Sequence, residues 1–459
     1  MRQLSFLDES FVLMESARTP SHIAPFMIYD PSTAPGGAVS FEDVLDGIRA
    51  RLPLAACFRQ RLVRVPFGLD NSYWIEDAAF DLEYHVREVA VPPPGDWRQF
   101  CIQAARIFSR PLDLTRPPWE LTVIRGLDDV EGLPPGSFAI VLKVHHSAID
   151  GLTGVQIVTA MHDETPQPQP APQVEDTWRP EPAPSGWQLA AQAGAHALSS
   201  PYHTTRMMAR SVQQLRGTRV PRVARPPRTR FNDRVTPHRS FDCARIDLVQ
   251  IKAIRAGVPG ATINDVALAI VGGALQRYLA DRDELPDTPM IAAVPISTRM
   301  ANDAGAGNHV SMMMATLATD VADAGARLEA IHAATAESKE ARDGVAAAAL
   351  LEVADVLPGA LLGLAVRGAA RVPRLPVVAN TLVTNTPGPR HPLYFLGAEL
   401  VLSTGMCPLV DGMGLAHGIS SYVDELNVNV TACREMLPDP ASYIECIHKS
   451  VDELTDATT

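Results

Sequence analysis

An apolar run that ends in two adjacent histidines constrains the fold of this chain more than any other feature. Residues 137–144 read Ser-Phe-Ala-Ile-Val-Leu-Lys-Val, and His145, His146, Asp150 and Gly151 follow closely. A short apolar run rich in β-branched residues predicts a buried strand, and the apolar spacing after Gly151 suits a helix. The sequence therefore predicts a strand, a short polar loop and a helix.

His145 and His146 are expected to have different roles. Consecutive side chains of a strand point to opposite faces, so the two imidazoles do not share one function. His146 is the candidate general base, because Asp150 lies one loop away and can fix the ring or the loop, while Gly151 permits a tight turn. A buried, hydrogen-bonded histidine pair with a loop-capping aspartate is the simpler alternative. A metal site would need further ligands nearby in the sequence, and we expect none.

The heptapeptide from His145 to Gly151 resembles the active-site signature of the chloramphenicol acetyltransferase-like superfamily. That superfamily includes peptide-synthetase condensation domains, plant acyltransferases and the bacterial wax ester synthase/diacylglycerol acyltransferases. The resemblance implies acyl transfer, and the remainder of the chain selects the branch.

Length and composition limit the alternatives. A chain of 459 residues with 46% hydrophobic residues predicts two domains with ample cores. A net charge of −12 argues against a nucleic-acid partner, whose binding protein would carry a basic surface. Six scattered cysteines and the lack of a secretory apolar run favour a reduced, cytoplasmic protein. The most apolar stretch, 345–366, contains acidic residues and a proline, so we read it as a buried or interfacial helix.

A change of composition after residue 162 predicts the domain boundaries. Alternating predicted helices and strands suit a layered α/β domain over residues 1–162 and a second domain over 239–459. Between them, 163–185 is rich in Pro, Gln and Glu and predicts a linker without a core of its own. The rest of the linker contains no acidic residue up to Phe231 but carries Arg206, Arg210, Arg216, Arg219, Arg222, Arg225, Arg228 and Arg230. This run is either a solvated arm or a contact for anionic lipid headgroups or coenzyme A phosphates.

Further blocks extend the resemblance along the whole chain. In family order these are 4–11, 116–120, Asn264-Asp265-Val266, 295–299, Gly307-Asn308, 385–389 and 408–415. Together they are similar to the bacterial wax ester synthase/diacylglycerol acyltransferases. Pro118 departs from the family's usual leucine, in a loop that we interpret as structural. The resemblance implies two chloramphenicol acetyltransferase-like domains with a tunnel between them that reaches the histidine from both sides.

The resemblance also implies the chemistry. An acyl-CoA co-substrate, with no cofactor, would give up its acyl group directly to a hydroxyl group activated by His146. Asp150 would hold the loop, and in related folds it pairs with an arginine. Asn264 is the candidate oxyanion donor, with plain helix capping as the alternative reading. The expected substrate-binding residues are Asp265, Ser297, Arg299 and Asn308.

Diacylglycerol is the expected acceptor, giving triacylglycerol at a membrane or lipid-droplet surface to which the enzyme binds peripherally. The alternatives are a wax ester synthase with a long-chain alcohol acceptor, a carrier-dependent condensation enzyme, and a catalytically silent lipid-binding scaffold. The sequence contains no Gly-x-Ser-x-Gly motif, and no cysteine nucleophile is evident. We therefore favour direct transfer over an acyl-enzyme intermediate.

Overall fold

The computed structural model describes residues 1–148, 158, 161–168, 178–180, 182–196, 225–297, 310–340 and 376–458. Several predicted features lie outside these residues. They are Asp150, Gly151, Arg299, Asn308, residues 206–224 of the arginine run, and the apolar stretch 345–366. Within the described part of the chain, no helix is both long enough and apolar enough to cross a membrane.

The first part of the chain alternates helices and strands, as the sequence predicts. Two helices begin with a capping box, Ser40 with Asp43 and Asp96 with Gln99, which satisfies backbone N–H groups of the first turn. The elements are β1 (Arg2–Gln3), α1 (Phe6–Met14), β2 (His22–Asp30), α2 (Phe41–Arg51), β3 (Gln60–Val63), β4 (Tyr73–Glu76), α3 (Leu82–His85), β5 (Val86–Ala90), α4 (Trp97–Phe108), β6 (Trp119–Arg125) and β7 (Phe138–His145).

The second part has the same mixed character. Its elements are β8 (Arg239–Asp247), α5 (Leu248–Gly257), α6 (Ile263–Ala280), β9 (Ile291–Ser297), β10 (Val310–Thr316), α7 (Ala324–Glu340), β11 (Thr381–Thr386), β12 (Tyr394–Phe395), β13 (Ala398–Met406), β14 (Leu415–Tyr422), β15 (Glu425–Cys433) and α8 (Pro440–Thr458). Helices α5 to α8 bury their apolar faces in one large core with the sheet strands.

The described part of the chain forms two six-stranded sheets and a small sheet, β1-β4-β3. The first sheet has the order β12-β13-β2-β7-β6-β5, and the second has the order β10-β9-β11-β14-β15-β8. The sequence-based boundaries assign residues 394–406 to the C-terminal domain, but β12 and β13 extend the N-terminal sheet by pairing β13 with β2. This addition of two C-terminal strands to the N-terminal sheet arises from long-range strand pairing, which local sequence patterns do not reveal. The division at residues 162 and 238 stays a prediction.

The predicted linker contributes to the N-terminal domain rather than only connecting domains. Residues 186–196 are helical, and Leu189 and Ala193 are buried against Val65 and Tyr73 of the small sheet region. Asp163 exchanges backbone hydrogen bonds with Tyr394. The lack of a core was predicted only for residues 163–185, so the packing of Leu189 and Ala193 adds to that prediction without contradicting it.

Strand β7 is buried on both faces, which is why its sequence is almost continuously apolar. Phe138, Ile140, Leu142 and Val144 face one core, while the alternate residues pack beneath α4. Lys143 is the exception, and its ammonium pairs with a carboxylate oxygen of Glu120 at 3.0 Å. The same ammonium donates to the carbonyl groups of Ile107 and Arg110, so the C-terminal end of α4 is held against β7. The strand thereby delivers its last residues to a fixed position.

Helix α6 crosses its neighbours at two consecutive glycines. A methyl group added at Gly272 would lie 2.2 Å from the carbonyl oxygen of Leu317. At Gly273 it would meet Ser450 Oγ at 2.3 Å and Arg327 Nη1 at 2.5 Å. The two glycines therefore determine how closely α6 packs against the residues just before α7 and how closely it packs against the last helix, α8.

We expect Gly272→Ala to destabilise the protein by about 1–3 kcal/mol, because a backbone carbonyl cannot move away from the new methyl group as a flexible side chain can. The matched control is Gly194→Ala, in the exposed part of the 186–196 helix, where a methyl group meets nothing within 4 Å. That change should stabilise by about 0.5–1 kcal/mol through the helix preference of alanine. Thermal melts should show a lower melting temperature for Gly272→Ala and a higher one for Gly194→Ala. An unchanged melting temperature for Gly272→Ala would contradict the close approach of α6 to Leu317.

Candidate active site

The backbone at the end of β7 is fixed by two neighbouring segments. His145 donates its N–H to the carbonyl oxygen of Pro118 at 2.9 Å, and His146 donates to that of Ser21 at 2.8 Å. Ala148 closes a turn by donating to the carbonyl oxygen of His145. The strand therefore ends at His145, and His146 begins the turn. Because Pro118 acts through its carbonyl group, the departure from the family's usual leucine leaves this contact in place.

The side chain of His145 is fully buried, and one of its two ring nitrogens is hydrogen-bonded locally, while Nε2 has no hydrogen-bond partner among the described residues. Its Nδ1 lies 2.7 Å from Ser147 Oγ and 3.2 Å from the backbone nitrogen of Ser147. A Ser147 N–H that donates to Nδ1 leaves the imidazole proton on Nε2, which lies 3.6 Å from the carboxylate of Glu15. The contacts of His145 thus differ from those of its neighbour, and separate roles for the two histidines stay a prediction.

The side chain of His146 has a different environment. Its ring stacks on Phe11 with centroids 4.1 Å apart and an interplanar angle of 16°. Its Nδ1 is buried and has no hydrogen-bond partner among the described residues. Burial lowers the pKa of His146 to about 4, and the nearby His145 adds to the effect, while the backbone carbonyl of His146 itself acts in the opposite direction. At neutral pH the imidazole is uncharged and able to accept a proton.

The first turn of α6 places Asn264 and Asp265 in unlike positions. Asp265 is fully buried, and its carboxylate accepts hydrogen bonds from Thr262 N–H at 2.8 Å, Thr335 Oγ1 at 2.7 Å and His332 Nδ1 at 3.0 Å. Burial raises the pKa of Asp265, but these hydrogen bonds together lower it below its ordinary value. This carboxylate caps α6 and joins it to α7, so its oxygens are already occupied; a substrate-binding role stays a prediction.

Asn264 is half-buried, and its side chain makes no hydrogen bond with the part of the protein that the structure describes. Its role as an oxyanion donor stays a prediction. Ser297 is the last residue of β9, where it pairs with Val310. The remaining predicted site residues, Asp150, Gly151, Arg299 and Asn308, lie outside the described ranges. Within those ranges, no group of three or more His, Cys, Asp or Glu side chains is placed to hold a metal ion.

Sequence reasoning missed the residues that support the histidines. Phe11 and Glu15 were not singled out, although Phe11 is the last residue of the block 4–11. Its position in that block was the available signal. No sequence signal indicated the contacts of Glu15 and of the Ser21 carbonyl group, because these contacts depend on how β2 and β7 are aligned.

The segment that supports His146 is also joined to the second half of the chain. The guanidinium of Arg18 makes two hydrogen bonds with the carboxylate of Asp411, each at 3.0 Å, and a third with the carbonyl oxygen of Val235. Arg239 in turn donates to the carbonyl oxygen of Arg18. Asp411 belongs to the block 408–415, so a block from the end of the chain contacts the segment that precedes β2.

Comparison with known proteins agrees with this geometry. Residues 4–267 match the wax ester synthase/diacylglycerol acyltransferase catalytic domain, and residues 306–455 match the C-terminal domain of the same proteins. The chain belongs to the wax ester synthase/diacylglycerol acyltransferase family. A Mycobacterium tuberculosis (strain H37Rv) protein with a provisional diacylglycerol O-acyltransferase name is 33% identical over 468 residues, covering 99% of each chain.

Solved structures support the fold of this family member. The wax ester synthase/diacylglycerol acyltransferase of Marinobacter aquaeolei VT8 matches with a TM-score of 0.70 and 26% identity over 99% of each chain. A starter condensation domain of rhizomide synthetase, solved with C8-CoA, matches with a TM-score of 0.55 and 12% identity over 100% of this chain and 94% of its own. The predicted two-domain chloramphenicol acetyltransferase-like fold is thereby confirmed.

The burial of His146 predicts the pH dependence of turnover. Because its pKa is lowered to about 4, the base form persists well below pH 6.5, and kcat/KM should fall only as pH approaches that lower value. Phe11→Ala should admit water to the ring, raise the pKa of His146 and move the acid limb toward 6.5. The control is Phe67→Ala, since Phe67 is 95% exposed and should leave the profile unchanged.

Folding stability must be measured over the same pH range as kcat/KM. His162 is also buried with its pKa lowered to about 4, so the unfolded state binds more protons than the folded state below about pH 6.5. Folding stability therefore falls as pH decreases, and circular dichroism defines the range over which rates are compared. An acid limb at pH 6.5 in the folded wild-type enzyme would contradict the uncharged, buried His146.

Proposed function

We propose that this protein transfers the acyl group of acyl-CoA to the hydroxyl group of an alcohol, with diacylglycerol as the acceptor and His146 as the general base. The observation that carries the proposal is the uncharged imidazole of His146, stacked on Phe11 and held at the end of a buried strand. A general base must be unprotonated and rigidly positioned before it can serve an alcohol, which is a weak nucleophile at neutral pH.

In the proposed reaction, the imidazole of His146 takes the proton of the acceptor hydroxyl as its oxygen attacks the thioester carbonyl carbon. A new C–O bond forms, and the carbonyl electrons move onto oxygen. The oxyanion then re-forms the carbonyl, the C–S bond breaks, and the departing thiolate takes the proton from the imidazolium. The products are an ester and free coenzyme A. The oxyanion near the imidazolium offsets the cost of charging a buried ring.

Other residues would support this reaction. Asn264 is proposed to donate to the oxyanion from the first turn of α6, where the helix dipole also favours negative charge. Asp150 is proposed to hold the loop after the histidines, and Gly151 to permit its turn. Asp265, Ser297, Arg299 and Asn308 are the proposed substrate-binding residues. Acyl-CoA enters as a co-substrate.

The alcohol that accepts the acyl group distinguishes a diacylglycerol acyltransferase from a wax ester synthase. The Mycobacterium tuberculosis relative is named for diacylglycerol acylation, whereas the Marinobacter protein is named for both wax ester synthesis and diacylglycerol acylation. The higher identity of the former favours diacylglycerol here. Acceptance of carrier-bound thioesters only would instead favour a condensation enzyme, and absence of turnover would favour a lipid-binding scaffold.

We expect coenzyme A release from long-chain acyl-CoA to depend on an added acceptor, with diacylglycerol preferred over a long-chain alcohol. His146→Ala should lower kcat by at least about 100-fold, since a positioned general base contributes roughly 10²–10⁴-fold. His145→Ala should affect soluble yield or melting temperature more than kcat. Near-normal turnover by folded His146→Ala would overturn the mechanism, and a preference for hexadecanol would reassign the acceptor.

Peripheral binding to a membrane or lipid-droplet surface is a further part of the proposal. Lipid acceptors reside in such surfaces, and the arginine run supplies positive charge on an acidic chain. At its described end, Arg228 donates to the carbonyl oxygen of Asn232, and Arg230 pairs with Glu284. These two arginines have partners within the protein, so the proposal relies on the run before them.

We expect sedimentation with anionic vesicles but not with neutral vesicles, and loss of binding in high salt, because each basic residue near an anionic surface contributes about 1 kcal/mol. Changing Arg216, Arg219, Arg222 and Arg225 together to Gln should abolish the binding. An increased KM for acyl-CoA with intact vesicle binding would instead assign these arginines to coenzyme A. If neither property changes, the run is a solvated arm.

A further inference from the structure

A cleft of about 500 Å³ opens between α4 and the start of β8. Arginines line it from both halves of the chain, and we call it the arginine cleft. Arg98, Arg106 and Arg110 come from α4 and the residues just after it, while Arg239 and Arg434 come from the opposite wall. The site described above uses only Arg239 of this set, through its contact with Arg18.

The charge of the arginine cleft is unbalanced. Arg98, Arg106, Arg110 and Arg434 are exposed, and the helical spacing of Arg98 and Arg106 places them on one face of α4. Among the described residues that line the cleft, Asp242 has the only carboxylate. It already accepts hydrogen bonds from Trp97 Nε1 and the backbone N–H of Cys243, each at 2.8 Å. Four exposed arginines thus line the cleft beside one occupied carboxylate, with Asp439 near Asp242, on a chain whose net charge is −12.

Arg239 adds a buried donor to the arginine cleft. The residue is only 4% exposed, and its terminal nitrogens donate to the carbonyl oxygens of Thr236, His238 and Arg18. Its Nε is buried and has no hydrogen-bond partner among the described residues. Besides these carbonyl groups, the carboxylates of Glu435 and Asp411 lie near the guanidinium and favour its charged form.

The arginine cleft borders the segments that hold the histidine turn. Arg239 contacts the carbonyl oxygen of Arg18, three residues before Ser21, whose own carbonyl accepts the His146 N–H. On the other wall, the carbonyl oxygen of Arg110 accepts from Lys143, two residues before His145 on β7. A ligand held in this cleft lies beside the elements that position the proposed base.

We propose that the arginine cleft binds phosphate groups, and that these belong to the coenzyme A half of the acyl-CoA co-substrate; this inference rests on the proposed function. Guanidinium groups match phosphate oxygens in charge and in forked geometry. A mostly exposed, cationic cleft suits the hydrophilic end of the molecule, whereas the thioester must reach the half-buried His146. Anchoring a remote, non-reacting part of the substrate helps to position its reacting group.

The test compares two thioesters. Arg98→Gln/Arg106→Gln retains residues that favour helices and should raise the KM for acyl-CoA by about tenfold through lost charge-assisted hydrogen bonds. The same variant should leave kcat unchanged, and it should leave both constants unchanged for the acyl N-acetylcysteamine thioester, which lacks phosphate. Arg255→Gln, an exposed arginine on α5, is the control and should behave as wild type. An equal loss with both thioesters would overturn the proposal.

A binding measurement separates this inference from the proposed reaction. Calorimetry with adenosine 3′,5′-bisphosphate should detect binding to the wild type and to Arg255→Gln, and binding at least about tenfold weaker to the double variant. This result needs no acyl transfer, so it stands even if the acceptor assignment fails. Unchanged nucleotide binding, with loss of binding to anionic vesicles, would assign the cleft to lipid headgroups. Equal affinity for inorganic phosphate would show a nonspecific anion site, and either outcome overturns the proposal.

Discussion

The backbone N–H groups of His145 and His146 donate to carbonyl groups of two different segments, and the geometry of the candidate site depends on these two bonds. One acceptor, Pro118, precedes β6, and the other, Ser21, precedes β2. Strand β7 lies between β2 and β6 in the sheet, so its end is restrained from both sides. A histidine carried on such an end keeps one orientation without support from a flexible loop.

The two histidines have different surroundings. His145 is enclosed by Ser147 and Glu15, which satisfy or face its ring nitrogens. His146 instead rests against the apolar ring of Phe11, and burial keeps it unprotonated at neutral pH. Two adjacent residues of the same type thus have different contacts, because the chain turns between them.

The two halves of the chain depend on each other around this turn. The β12–β13 pair completes the N-terminal sheet, and the Arg18–Asp411 pair joins the segment before β2 to the second half. The arginine cleft lies along the same junction, between α4 and β8. An enzyme with a lipid acceptor and a phosphate-bearing donor needs unlike surfaces for its two substrates, and a junction between two domains can present both.

The sequence by itself predicted the buried apolar strand that ends at the histidines, and it predicted the family, because apolar periodicity and short blocks are local properties. Ser40 at the start of α2 and the capping of α6 by Asp265 were predictable for the same reason. Only the tertiary structure decided that Phe11 covers His146, that residues 394–406 extend the N-terminal sheet, and that arginines from α4 and β8 share a cleft. These features join residues far apart in the chain, and their positions follow from strand pairing and helix packing, which no local pattern encodes.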